Sequence, residues 1–435
     1  MVFALVLGCM KTIEPFNEFF YKGGILIFGI LYYVYGLMPA GDIALNIMDV
    51  IALIPLIAVF FNSERYVFNK VAFLAVFIAG LSTIIHCNCE RVTLFVLYYI
   101  AIEIILLPYC DYKKDVRQLV YELDVLMLVV VVIAVTVAVL SFVTYILNIS
   151  SQYTYPFISG TFYLGIDRSS NALVGIYSNA NGAAFLYVTA LGALFYYKER
   201  SKNKILLWLC IGSISLLLIL TKSRGGIIGF LIIIAFYAFS LLRSKVLIGN
   251  STGEMFRSLC IISIVLIIAG AIMLVIRDTR ILDSMLDSSA STRGLLWSAG
   301  IKVLLSSPLN LLFGVGADIQ VEIAKHVSPE VPVSLFNNMH NIYMQTFVSF
   351  GVIGGVLFLM IVIRYLYSCM KMTLSNYSMN GDMFPLLSVL FAQAVISLVE
   401  SDIYMGRTFL GTSFWIICGY IFNIEKQREE AFKKN

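Results

Sequence analysis

The sequence predicts an all-α polytopic integral membrane protein with about 12 transmembrane helices, counting roughly 20 apolar residues per crossing. Three observations predict it. Hydrophobic residues make up 60% of the 435-residue chain and charged residues 13%, against about 25% charged in soluble domains. The mean hydropathy is +0.91. Apolar runs long enough to cross a hydrocarbon core of about 30 Å recur from one end of the chain to the other.

These runs lie near 20–38, 42–61, 69–86, 92–109, 124–148, 182–197, 204–221, 225–242, 258–276, 340–363, 383–401 and 407–424. The opening MVFALVLGCM is too short, and too poor in basic residues, for a signal peptide, and reads as an interfacial or half-inserted helix. A single membrane domain over 1–435 accounts for the whole. It divides into N-terminal helices (1–148), an outer loop (149–181), a second set of helices (182–276), a large outer loop (277–339), and C-terminal helices with a cytoplasmic tail (340–435).

Orientation follows from Lys and Arg, which are retained on the cytoplasmic side during insertion. With both termini cytoplasmic, twenty of the thirty basic residues fall inside, and most of the others lie in the two long outer loops. The net charge of +4 then reflects topology and gives no concentrated basic face for nucleic acid. The eight cysteines are scattered. Cys87 and Cys89 offer too few ligands for zinc and read as small apolar filler at a helix end. No repeat, heptad or low-complexity stretch is present.

Loops longer than about 12–15 residues tend to be functional or disordered. In the second outer loop, Ser291 and Thr292 are good N-cap types, and Leu295, Leu296, Ala299, Val303 and Leu304 recur at helical spacing before Ser306-Ser307-Pro308. This predicts an amphipathic interfacial helix lying on the outer membrane surface.

The polar residues gather at outer helix ends. His340 opens the run HNIYMQTFVSFG with Asn341 beside it, where free N–H groups and the helix dipole favour an anion. Histidine's ordinary pKa suits a general acid or base; the plainer reading is an interfacial ring. Arg224 stands in TKSRGGIIGF at a tight junction of two helices, followed by Gly225, Gly226 and Gly229, which permit close backbone approach. It reads as a binding residue or an interfacial anchor. Arg293, in STRGLLW, begins a helix against the dipole and asks for an anionic partner, unless it is a solvated loop residue. Arg168, Tyr177, Asn179 and Asn181 cluster in a polar stretch that feeds a helix, as site residues or caps. Glu400 and Asp402, with Arg407, sit at the last outer turn, as a carboxylate pair or a solvated turn.

Arginines and a histidine on one side of the membrane fit phosphate, since paired guanidinium groups bind its oxygens bidentately. A lipid-linked phosphate or pyrophosphate is the anion presented at that depth.

Four segments in order, YSNANGAAF, TKSRGG, TRGLLW with SSPLNLLFGVG, and HNIYMQTFVSFGVIGG, make the chain resemble the superfamily of O-antigen ligases and O-antigen or capsular polysaccharide polymerases. The last segment fits H-N-x-x-L-x-x-x-x-x-x-G, with Met344 at the Leu position. The resemblance covers about Arg168 to Gly355. It implies a metal-independent, inverting glycosyltransferase of the bacterial cytoplasmic (inner) membrane, without cofactor, that uses an undecaprenyl-pyrophosphate-linked oligosaccharide as donor. Arg224 and Arg293 are then the pyrophosphate-binding residues and His340 the catalytic one; Arg168, Asn181 and Asn341 contact substrate, and Tyr177, Glu400 and Asp402 are further candidates. Polymerase, building O-antigen, capsule or exopolysaccharide, is expected ahead of ligase to lipid A core or protein; the protein acceptor is set lower because the family's protein-glycosylating members carry a further C-terminal outer region, where a short basic cytoplasmic tail is expected here. A flippase and a chain-length regulator of the same pathway are the implied partners. The rival of another class is a lipid-linked oligosaccharide transporter. It calls for polar residues along a midplane path, and Asp49, Glu103 and Gln393 are the few intramembrane candidates.

Overall fold

Runs of Leu, Ile, Val and Phe fold as helices here because a backbone surrounded by apolar matter must satisfy its own hydrogen bonds. The computed structural model describes residues 66–67, 69–86, 97, 100–101, 104–105, 110–111, 115–153, 162–168, 171–176, 180–198, 201–246, 289–317, 319–326, 339–374, 383–398 and 409–434. In chain order these form β1 (Tyr66–Val67), α1 (Lys70–Ile85), β2 (Cys110–Asp111), α2 (Val116–Ile146), β3 (Ser150–Tyr153), β4 (Phe162–Asp167), β5 (Ala172–Gly175), α3 (Ala180–Tyr196), α4 (Lys204–Leu220), α5 (Arg224–Val246), α6 (Ser289–Leu305), α7 (Pro308–Phe313), α8 (Gln320–Ala324), α9 (Ile342–Leu374), α10 (Phe384–Ile396) and α11 (Phe409–Lys434).

The spans expected near 69–86, 124–148, 182–197, 204–221, 225–242, 340–363, 383–401 and 407–424 are helices. Those near 20–38, 42–61 and 258–276, and most of the one near 92–109, lie outside the described residues, as do Cys87, Cys89, Asp49 and Glu103. Among the described residues, Val116–Ile146 and Ile342–Thr373 are long and apolar enough to cross a membrane. Large apolar side chains stand exposed on α2 (Val132, Val139, Phe142) and α4 (Leu209, Leu216, Ile219). Such faces fit lipid better than water, and the architecture is compatible with a helical membrane protein.

The core is built around α3, in which every residue from Ala183 to Tyr196 is buried. A helix apolar on all sides belongs in the middle of a bundle, and α2, α4, α5, α10 and α11 pack around this one. Small residues set the closest approaches. A Cβ added at Gly226 would lie 2.6 Å from that of Ala184, one at Gly229 2.7 Å from Ile396 Cδ1, and one at Gly192 1.9 Å from Val389 Cγ2. Gln393, fully buried on α10, donates to Thr189 of α3 at 3.1 Å and Ser413 of α11 at 3.0 Å, tying three helices together.

The 149–181 segment departs from the all-α expectation. It holds a three-stranded antiparallel sheet, β3-β4-β5, with Ser150 opposite Gly165 and Ile166 opposite Leu173. Strands of four to six residues carry too short a period to stand out beside long helical runs. The chain turns into the sheet at Asn148 with φ 50°. The third strand lies on α2 closely enough that a Cβ at Gly175 would meet Ser141 Oγ at 2.0 Å.

The 277–339 segment holds the helix expected before Ser306-Ser307-Pro308, but that helix begins and packs differently from expectation. Helix α6 starts at Ser289, so Ser291 and Thr292 fall inside its first turn and do not cap it. Its buried face, Leu296, Ala299, Val303 and Leu304, packs with Val315, Ile319, Ile323, Met339 and Val348 into a second small core. That face therefore meets protein, while Leu295, Ile301 and Leu305 remain exposed. Ser307-Pro308 ends one helix and begins another: Ser307 accepts from Asn310 N at 3.1 Å with Pro308 in the first turn of α7.

Helix α9 is broken at Gly351, whose backbone (φ 69°, ψ −172°) is not helical. Into the break fits the Gly314–Gly316 segment. Val315 N donates to Val348 O at 3.0 Å and Gly316 N to Ser349 O at 2.9 Å, so carbonyls released by the kink regain donors. Ser82 of α1 completes the joint, donating to Ser349 O at 2.9 Å and accepting from Gly316 N at 3.1 Å.

Candidate functional site at converging helix ends

His340 sits just before α9 with φ 48°, a left-handed conformation uncommon outside glycine. Its neighbours hold it there. Asn341 caps the helix, accepting from Met344 N at 3.0 Å through Oδ1 and from Gln345 N at 2.9 Å through its carbonyl. Ile342 N donates to Ser397 O at the end of α10 at 3.0 Å, and Tyr343 OH donates to Ala394 O at 2.8 Å. The side chain of His340 is half-buried.

Arg224 is the first residue of α5 and is exposed, between buried Ser223 and Gly225. The preceding turn is closed by Lys222 at φ 54° and by Ser223, whose hydroxyl accepts from Gly226 N at 3.2 Å. Immediately behind the arginine, Gly225 packs within reach of Phe185 of α3 and Ile396 of α10. Asn181 is the second residue of α3 and half-buried. Three positions singled out from sequence therefore lie at one end of the bundle: Asn181, Arg224 and His340 stand at the N-terminal ends of α3, α5 and α9, around the C-terminal end of α10.

Each of those N-termini carries roughly half a positive charge from its aligned peptide dipoles. The C-terminal carbonyls of α10 work against that field, but Ser397 O, Ala394 O and Gln393 O accept from Ile342, Tyr343 and Ser397 respectively. An arginine at this end suits an anion, and the half-buried imidazole of His340 lies at the same end.

The other candidates are placed differently. Arg293 lies in the second turn of α6; its helix belongs to the second core, which reaches the His340 segment through Met339. Arg168 is exposed in the turn after β4. Tyr177, Asn179, Glu400 and Asp402 lie outside the described residues. Among the described residues no cluster of His, Cys, Asp and Glu has the composition of a metal site.

Residues 205–359 match the family model described as O-Antigen ligase. This stretch is similar to the O-antigen ligase family. It runs from α4 to the middle of α9 and so holds Arg224, Arg293, His340 and Asn341, the interlocked Gly314–Gly316 and Gly351, and Trp297. Asn181 and Arg168 precede the O-antigen ligase stretch; Glu400 and Asp402 follow it. The match indicates glycosyltransferase-like chemistry of the ligase or polymerase type on lipid-linked oligosaccharides in a membrane. No curated protein matches the chain.

Several structurally decisive residues of the O-antigen ligase stretch and its surroundings escaped sequence reading. Ser82, Tyr343 and Ser397 bind backbone atoms distant in sequence, and no local pattern announces that. A signal did exist for the kink: the glycines of LLFGVG and SFGVIGG. Buried Glu122 on α2, accepting from Tyr420 OH at 2.9 Å, also went unremarked, hidden in an apolar run.

Proposed function

We propose that the chain is a polysaccharide polymerase that joins undecaprenyl-pyrophosphate-linked repeat units on the outer face of the bacterial cytoplasmic membrane. In this reading His340 is the catalytic residue at the acceptor hydroxyl or the pyrophosphate, and Arg224 and Arg293 stabilise the charge that grows on the departing pyrophosphate. The glycosidic C–O bond to pyrophosphate breaks as the acceptor oxygen forms a new bond to the anomeric carbon from the opposite face. The acceptor's proton leaves with the general base or the departing phosphate. Fixed cationic groups at a low-dielectric interface suit this charge separation because they need no reorganisation during the reaction. They do the work that a divalent cation does at many phosphate sites. Asn181 and Arg168 are assigned to saccharide or phosphate contacts.

The observation that supports the reading is the placement of Asn181, Arg224 and His340 at the ends of α3, α5 and α9 on one end of the bundle, two of them within the stretch that matches the family model. The family description, O-Antigen ligase, favours a second reading in which the same donor is transferred to lipid A core or to protein. Purified protein given the lipid-linked repeat unit alone separates the two. A ladder of products supports the polymerase; transfer that requires lipid A core or protein supports the ligase; inertness with all three acceptors overturns both.

A further inference from the structure

We infer that Trp297 is a positioning residue for His340, a role that rests on the reading of His340 given above. The indole N–H of Trp297 donates to the carbonyl of Met339, the residue directly before His340, at 2.8 Å. Met339 N donates in turn to Gln345 Oε1 at 3.3 Å, so both polar groups of the Met339 main chain are held. The Met339 side chain is buried against α6, where a Cβ added at Gly300 would stand 2.5 Å from its Cε.

On the other side, Ile342 N is fixed to Ser397 of α10. His340 and Asn341 thus lie between two anchors, one on α6 and one on α10. A left-handed non-glycine backbone persists where the surroundings over-determine it, and Trp297 supplies the α6 half of that constraint. An indole has a single donor and no acceptor, so this bond is the whole of its polar role. Position 293 lies one helical turn before 297 on the same face of α6. One short helix therefore carries both a proposed phosphate-binding arginine and the anchor of the proposed catalytic histidine, and displacing it moves both together.

Trp297→Phe keeps an aromatic ring in the second core and removes only the N–H. Two readings test it. In the transfer assay, kcat falls about ten- to a hundredfold, the scale of a small misplacement, while KM for the lipid-linked donor and the thermal midpoint hold. In a separate experiment that needs no substrate, diethyl pyrocarbonate labelling is followed by peptide mass spectrometry at the chain's three histidines, with His86 and His326 as internal controls. The variant changes the labelling rate of His340 severalfold and leaves the controls alone. Unchanged labelling at His340, or an equal change at all three with a lowered thermal midpoint, assigns Trp297 to packing only and overturns the proposal. If Trp297→Phe does not accumulate, site-specific benzothienylalanine, a near-isostere without the N–H, carries the same test. Should wild-type protein transfer sugar to no acceptor, the assigned reaction fails while the labelling result still decides whether Trp297 holds His340.

Discussion

Ser397, at the end of α10, accepts the main-chain N–H of Ile342 at 3.0 Å, and that bond sets where α9 begins. Tyr343 repeats the attachment one residue on, through its hydroxyl to Ala394 O. Removing that hydroxyl with Tyr343→Phe leaves a helix-end carbonyl with one fewer donor, and a loss of about 0.5–1.5 kcal/mol in stability is expected. Transfer activity should fall further than the thermal midpoint implies, because His340 is mispositioned in protein that is still folded.

His340→Asn separates chemistry from backbone. Asparagine adopts left-handed φ more readily than most residues, so the variant should reach wild-type level and insert normally. Loss of a general acid or base typically lowers rate by about 10²–10⁴, and polymer should be absent from its gel. Wild-type chain lengths in this variant remove His340 from the mechanism.

Arg224→Lys keeps the charge and discards the planar fork. A point charge cannot replace bidentate contact with phosphate oxygens, and a fall of about 10²–10³ in kcat is expected from comparable losses of a transition-state contact. Near-normal turnover demotes Arg224 to an interfacial anchor.

The joint at the α9 break is tight. A Cβ at Gly351 falls 2.3 Å from the Leu312 backbone at φ 69°, so Gly351→Ala meets both steric and conformational strain. It should destabilise by about 3 kcal/mol or more. Ser82→Ala, which deletes two hydrogen bonds at the same joint, should lose about 1–3 kcal/mol. Thermal unfolding in detergent of both variants ranks them. Equal midpoints for Gly351→Ala and wild type contradict the interlocked geometry.

Packing between α3, α5 and α10 gives a further check. Gly229→Val brings new methyl groups against Ile396 and Val188 behind Arg224, and overpacking of this kind typically costs about 1–3 kcal/mol. Both stability and transfer should drop, since the same contact places the start of α5.

Much of this was legible in the sequence, for a physical reason. Long apolar runs have few structural alternatives, so the helices at 70–85, 204–220 and 384–396 fall within a few residues of where hydropathy puts them. The positions of Arg224 and His340 at the ends of apolar helices were legible too, since each stands where a polar or Gly-bearing stretch passes into an apolar run. The sheet at 150–175 was not legible: its strands are too short for a period, and its register depends on pairing across a loop. Nor was the second core. Leu295, exposed, and Leu296, buried, look equivalent in a helical pattern until Met339 and Val348 choose the face.

The most direct test of the central claim is transfer by purified protein given an undecaprenyl-pyrophosphate-linked repeat unit as sole substrate, with EDTA present and products resolved on a gel. The account predicts a ladder of lengthening chains that disappears in His340→Asn. No product, with or without lipid A core or protein as acceptor, contradicts it and brings a transporter forward.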